Sequence, residues 1–300
     1  MSPENWYLTE DLDDFLARAG DFLSAQPALH TVLLTTTDAL RRRGRHFYGP
    51  EDPVFGVLEG NGDGRVRAAL LHTPPFPAHV TALTPVAADA LADRLAELDH
   101  TVSGISGPRE TAEAVAAAWR RRTGATGTVQ QRQRLYRLAE LTVPQPRPEG
   151  RARIADDGDR ALLERWYGEF AQAVGNGAGR DPAAWADARI AHGGVTLWET
   201  PDGTPVSLAG VTPETAGQVR VAPVYTPAGL RGRGYAGAAT AEVSRAARAA
   251  GTAEILLFTD LANPTSNALY QLIGYRPVAD FAVWRFGADG PKKTDGGRRP

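Results

Sequence analysis

The residues with the most chemistry in their spacing lie in one stretch, "GLRGRGYAGAAT", residues 229–240. Gly232, Gly234 and Gly237 form a G-x-G-x-x-G series, the spacing with which a dinucleotide fold wraps a pyrophosphate. Begun at Arg231, the same residues form Arg-x-x-Gly-x-Ala, a second kind of phosphate-cradling loop. Both arrangements set an anion on backbone N–H groups at a helix N-terminus, where unpaired donors and the helix dipole favour negative charge. Gly232 and Gly234 allow an approach that a Cβ would obstruct. Arg231 and Arg233 are placed to add charge-assisted contacts, although for Arg233 a solvated role fits equally well. A tight strand-to-helix turn without a ligand is the plain alternative.

The dinucleotide reading has one point in its favour. The strand "EILLFTD" follows the glycine helix and ends in Asp260, near where a ribose-binding carboxylate belongs. Two points oppose it. "TPAGLR" separates the preceding strand from the first glycine, and roughly 70 residues follow Gly232, too few for five or six parallel strands. No Gly-Lys-Ser/Thr follows the glycines, so a mononucleotide P-loop is also a poor match.

Downstream, "NPTSNALYQLIGYRP" places Asn263, Asn267 and Tyr270 before Gly274-Tyr275. Here the chain resembles the GNAT (Gcn5-related N-acetyltransferase) superfamily. Its loop motif, Arg/Gln-x-x-Gly-x-Gly/Ala, matches Arg231, Gly232, Arg233, Gly234, Tyr235 and Ala236. Its helix motif, Asn-x-x-(Ser/Asn/Ala)-x-x-x-Tyr-x-x-x-Gly-Phe/Tyr, matches Asn263 through Tyr275. The match is close over about residues 218–286, with a looser order of elements from about 150. The resemblance implies an α/β fold with a mixed sheet, acetyl-CoA as donor, and a small-molecule or peptide amine as acceptor. It sets the strand end Val224, Tyr225 and Thr226 against pantetheine and the loop residues against pyrophosphate. Tyr270 then protonates the departing thiolate. Asn263 and Asn267 divide between cofactor contact and local capping, with capping favoured for Asn263 because Asn-Pro initiates turns. For Tyr270 the alternative is packing beside Leu269 and Ile273.

The general base is not legible. "QVRVAPVYT" holds neither an acid nor a histidine, which leaves Asp260, Glu199, Glu169 and His192. Asp260 leads by its place in the resemblance, with capping of its own loop as the competing role. The remaining histidines, His30, His46, His72, His79 and His100, show no paired ligand spacing on a shared helix face, so no metal is expected.

These residues need elements to position them. The glycine loop lies between strand 218–226 and a helix of about 234–250, whose Ala236, Ala239, Val243, Ala246 and Ala250 form a thin apolar face. Gly251 is the stop. Helices near 156–174 and 181–192 and strands "GVTLWET" and "PVSLAGV" precede it; "EILLFTD", a helix near 265–273 and "FAVWRF" follow. The prolines of "TVPQPRPEGR" mark an unpaired linker. The expected division is therefore a first domain at 1–143, a linker at 144–151, the catalytic domain at 152–286 and a disordered tail at 287–300.

The first half runs through a similar order: helices near 9–25 and 27–43, strands near 53–59 and 64–72, helix 86–99, strand "TVSGIS", helix 108–122 and strand "TVQQRQRLYRL". It lacks the glycine loop, and Arg120 stands before Gly124 where Tyr270 stands before Gly274. The proline-rich "HTPPFPAHVTALTP" cannot supply successive N–H donors. It is expected to be a degenerate GNAT-like copy that holds no CoA and walls the substrate cleft.

Composition narrows the classes. The formal net charge of −2 gives no reason to expect binding to nucleic acid or an anionic membrane. The runs "RRRGR" and "RRR" fall at helix C-termini, where the dipole favours them. No cysteine occurs, which excludes disulfides and a thiol nucleophile and makes a cytoplasmic setting the expectation. Two alternatives to acetyl transfer remain: a tandem GNAT taking aminoacyl groups from charged tRNA, and a non-catalytic CoA-binding protein.

Overall fold

The computed structural model describes residues 5–60, 64–174 and 181–287. Along the chain run β1 (Trp6–Thr9), α1 (Leu12–Ala25), α2 (Thr31–Arg43), β2 (Val54–Glu59), β3 (Val66–His72), β4 (Ala78–Val80), α3 (Pro85–Glu97), β5 (Gly104–Pro108), α4 (Arg109–Thr123) and β6 (Gly127–Leu138). Then follow β7 (Arg151–Ile154), α5 (Arg160–Ala173), α6 (Pro182–Ile190), β8 (Val195–Glu199), β9 (Pro205–Val211), β10 (Gln218–Tyr225), α7 (Tyr235–Ala249), β11 (Glu254–Asp260), α8 (Pro264–Ile273) and β12 (Tyr275–Phe286). Each set of ten reads β-α-α-β-β-β-α-β-α-β. The similarity of the two halves is thus a repeat of element order.

The helix ends follow local chemistry. Thr84 caps α3 by accepting from the Ala87 N–H, with Pro85 at the first helical position. Asp181 and Pro182 do the same for α6. α4 and α8 each end on a left-handed glycine, Gly124 and Gly274, the residue that reaches this conformation without steric cost.

The chain forms two compact units that do not coincide with the two repeats. One comprises residues 1–22, 45–132 and 280–300; the other comprises 23–44 and 133–279. In the first, β1, β2, β3 and β4 pair antiparallel in succession, β4 pairs parallel with β5, and β5 pairs antiparallel with the end of β12, Phe281↔Pro108 to Arg285↔Gly104. Its core joins Leu70, Val80, Ile105 and Ala282 to Leu91 of α3 and Val115 and Trp119 of α4. In the second, β7, β8, β9 and β10 are antiparallel neighbours, β10 pairs parallel with β11, and β11 pairs antiparallel with the end of β6. One core lies under α7 and α8 (Ala239, Val243, Ile255, Leu257, Ile273). Another lies under α5 and α6 (Leu163, Trp166, Trp185, Leu197, Tyr225).

The last strand of each repeat therefore completes the sheet of the unit built mainly from the other repeat. A cut at 144–151 does not follow this grouping. That stretch is also tied down within its unit. Arg147 pairs with Glu242 and lies 4.9 Å from the Trp198 ring centroid, and the Trp198 indole N–H donates to the Glu149 carbonyl. Arg151 already belongs to β7. The tail expected at 287–300 lies, beyond Gly287, outside the described residues. No helix among the described residues is long and apolar enough to cross a membrane.

Candidate active site

The sheet of the second unit opens beside the glycine loop. β10 and β11 are in parallel register at Gln218↔Glu254, Val219↔Ile255 and Arg220↔Leu256 and then part. β10 continues along β9 through an irregularity between Val221 and Val224, pairing Val224 with Ala209 and Tyr225 with Leu208. β11 continues along β6, from Leu257↔Tyr136 to Asp260↔Gln133. Pro223 brings no N–H to the irregularity. Beyond Arg220 and Leu256, the edges that β10 and β11 turn toward each other have no ladder partner among the described residues. Backbone groups so exposed can bind an extended polar chain as a further strand would.

At the wide end of this opening stand the glycines. Gly232 and Gly234 have φ of 77° and 82°, and Gly234 is the N-cap of α7 without any side-chain cap. The first helical bond of α7 runs from the Ala238 N–H to the Gly234 carbonyl. The N–H groups of Tyr235, Ala236 and Gly237 thus precede the i→i−4 ladder. A Cβ built on Gly232 meets nothing within 4 Å, so the space over this glycine is open. No acidic side chain occupies the first turn. A pyrophosphate fits these donors. The corresponding helix of the first repeat, α3, does not offer them: Thr84 fills one N–H and Pro85 lacks another. The third glycine of the series has a packing role, since a Cβ on Gly237 would come 3.1 Å from Leu269 Cδ1 of α8.

The two loop arginines behave differently from simple phosphate ligands. Arg231 Nε donates to the Thr226 carbonyl at 3.0 Å, bracing the turn that joins β10 to the loop. Arg233 is exposed and reaches the Gly229 carbonyl at 3.3 Å.

On α8, Asn263 caps the helix by accepting from the Ser266 N–H. The Asn267 amide is spent on protein groups. Its Nδ2 donates to the Asp260 and Asn263 carbonyls and its Oδ1 accepts from the Tyr136 hydroxyl. It holds α8 to the end of β11 and to β6. Tyr270 is 8% exposed, with its ring 6.1 Å from that of Tyr275. Its hydroxyl has no hydrogen-bond partner among the described residues, whereas the Tyr275 hydroxyl is bound by Ser244. Burial alone pushes the Tyr270 phenol up to about 12, because the anion is penalised where water is scarce.

The carboxylates considered as bases fall into distinct settings. Asp260 Oδ1 accepts from the Ala262 N–H and so closes its own turn. Glu199, 4% exposed, is held by Arg151 and Arg153, the latter also paired with Asp159. It ties β7 to β8. The His192 ring nitrogens both lie against backbone carbonyls, of Ala188 and Val211. Glu169 is different. On α5, it accepts a 2.5 Å hydrogen bond from the Tyr225 hydroxyl at the end of β10, and Tyr225 is pushed up to about 12 by burial and by this carboxylate. Among the described residues no group of three or more potential metal ligands occurs.

Residues 23–44 also belong to this unit, which sequence patterning did not suggest. Thr31 of α2 donates to Gln218 at 2.9 Å, at the narrow end of the opening, and Arg220 reaches Thr31 at 3.5 Å. In α2, Thr31, Thr36, Thr37 and Asp38 are buried, which the sequence does not announce; of these, Thr31 bonds outside the helix.

Residues 160–275 match the model of the acetyltransferase (GNAT) family. Among curated proteins none matches the chain. Among solved structures, a GCN5-related N-acetyltransferase from Sphaerobacter thermophilus is 16% identical with a TM-score of 0.61, over 95% of this chain and 96% of that one. A Drosophila protein is 13% identical with a TM-score of 0.63, over 95% and 99%. A tandem GNAT protein from the clavulanic acid biosynthesis pathway is 15% identical with a TM-score of 0.56, over 96% and 100%. At these identities the likeness is one of fold, and it runs the length of the chain. The open sheet, the uncapped α7 and the capped α8 all lie within or at the edge of the span that the family model covers, and the chain thus carries an acetyltransferase domain of the GNAT family at residues 160–275.

Proposed function

We propose that the protein moves an acetyl group from acetyl-CoA to an amine, by direct attack with both substrates bound. The observation that carries this reading is the parting of β10 and β11 beside an uncapped helix N-terminus. It suits a ligand with an extended amide-bearing arm and a pyrophosphate. Acetyl-CoA, when bound, supplies the activated thioester. The edge of Val224, Tyr225 and Thr226 would hold the arm. Arg231, by bracing the turn, keeps the N–H groups of Gly232 through Gly237 turned to the pyrophosphate, and Arg233 adds charge. Asn263 and Asn267 fix α8, and Tyr270 donates its proton where negative charge collects on sulfur. Asp260 stands at the end of β11 as one candidate for the amine's proton.

The first repeat takes no part in CoA binding on this reading, because its α3 offers a capped N-terminus. The contiguous domain division at 1–143 and 152–286 is retained as a description of the two repeats. The acceptor is a small molecule or a peptide, the setting cytoplasmic, and nucleic acid plays no role. Charged tRNA as donor would call for a basic groove. The test is calorimetric titration of the full chain with acetyl-CoA, followed by mass spectrometry of products from an amine panel. One CoA site per chain and an acetylated amine are expected. Two sites, or none, would overturn the assignment.

A further inference from the structure

Glu169 differs from the carboxylates of this unit that arginines already hold. Glu199 and Asp159 are neutralised by Arg153, and Asp187 is bound by both ends of Arg160. Glu242 is paired with Arg147 and Arg245. Glu169 makes one strong contact, with the Tyr225 hydroxyl through Oε2. Arg165 Nε stays 3.9 Å from Oε1, with the two side chains 63% and 43% exposed, a separation at which such a pair contributes little. Oε1 therefore keeps acceptor capacity.

Its position matters more than its charge. Tyr225 is the last residue of β10, beyond the point where β10 and β11 part. Its ring packs on α5, 6.0 Å from Trp166. The side chain faces the α5 and α6 core, opposite the face covered by α7 and α8. The phenol thus carries a fixed, singly bound carboxylate to the end of the opened strand, on the sheet face away from the CoA-loop helix. The charged groups acting on Tyr225 are Glu169, Arg231 and Arg165. The two arginines are held at a backbone carbonyl and in solvent respectively.

We infer that Glu169, oriented by Tyr225, receives the cationic head of the acceptor, which is an alkylammonium and not a neutral arylamine or an alcohol. This rests on the acetyl-transfer reading above. The ammonium donates to Oε1 while Oε2 stays with Tyr225. Before attack one proton leaves nitrogen through Glu169 to solvent. The C–N bond then forms as the C–S bond breaks, nitrogen passes its second proton to Glu169 and on to solvent, and sulfur takes one from Tyr270, which solvent restores.

The test uses the full chain, acetyl-CoA, and a panel of alkylamines and size-matched arylamines at a pH where only the former are charged. Wild type is expected to acetylate alkylamines. E169Q keeps the volume and lowers kcat/KM for the best alkylamine roughly 10- to 100-fold, the scale of a charge-assisted hydrogen bond. It leaves the acetyl-CoA Kd and the thermal midpoint unchanged. Y225F, which frees the carboxylate without removing it, gives a smaller loss. Equal kcat/KM for E169Q and wild type on alkylamines would overturn the assignment, as would a wild-type preference for arylamines. So would a D260N variant that loses alkylamine turnover while E169Q does not. If the wild type binds acetyl-CoA and acetylates no amine at all, the transferase reading itself falls, an outcome distinct from those in which the wild type is active.

Discussion

Replacing Tyr270 by Phe separates chemistry from packing. The hydroxyl makes no hydrogen bond to a described residue, so its removal breaks none, and the ring that meets Tyr275 is retained. Stability should stay within about 1 kcal/mol of wild type, the net scale of a single hydrogen bond. If the phenol is the proton donor, kcat falls by about 10²–10⁴, the range for a positioned acid, which is about 2.7–5.4 kcal/mol of barrier. The raised phenol adds a second readout. At about 12 it remains protonated where an ordinary tyrosine, near 10, would be half ionised. A sulfur anion is intrinsically the weaker base, so Tyr270 can give up its proton only where burial penalises both anions together. The assay is thiol release at saturating acetyl-CoA from pH 7 to 10, with thermal midpoints alongside. No fall in wild-type kcat attributable to Tyr270 is expected in that interval. Wild-type turnover in Tyr270→Phe, or a limb near pH 10 that vanishes in the variant, would refute the reasoning.

Gly232→Ala places a methyl in the open space over the loop and should raise the acetyl-CoA Kd about 10-fold or more, the scale of one lost charged hydrogen bond. Its positive φ adds roughly 1 kcal/mol of strain, for which Gly217→Ala, also at positive φ (71°), is the control in denaturant titrations. Gly234→Val should obstruct the loop and also destabilise, since φ is 82° there. Asn263→Ala removes the α8 cap and should cost about 1 kcal/mol, read by urea unfolding. In the first unit His72 Nδ1 lies 2.8 Å from His100 Nε2, and burial with that neighbour pushes His72 down to about 4. The unfolded chain then binds the extra proton between pH 6.5 and 4, so stability falls as pH falls through that window, by about 3 kcal/mol. His72→Gln should flatten this part of the stability–pH curve, and an unchanged slope would count against it.

What was legible in the sequence was local. The alanine face of α7, its glycines and the Asn-Pro start of α8 declare themselves because backbone conformation and helix spacing are decided within a few residues. The short strands did not. β1 lies just ahead of the helix read near 9–25, β4 falls inside "HTPPFPAHVTALTP", and β7 begins at the last residue of "TVPQPRPEGR"; three or four residues carry no period. The Glu169–Tyr225 contact joins positions 56 apart, and nothing in either neighbourhood announces the other. Nor does the alternation of β6 or β12 say which sheet edge each will occupy. Strand pairing is set by the backbone, and both edges accept the same pattern.

The exchange of final strands has a consequence for how the protein comes into being. During synthesis the edge of β5 stays open until residues 281–285 have been made, although the rest of its sheet was finished long before. A nascent chain paused between the repeats thus presents an unpaired edge to any neighbouring strand. Ribosome-bound intermediates should be where this protein depends most on chaperones, and a fragment lacking β12 should aggregate through β5 even with every other strand of that sheet intact.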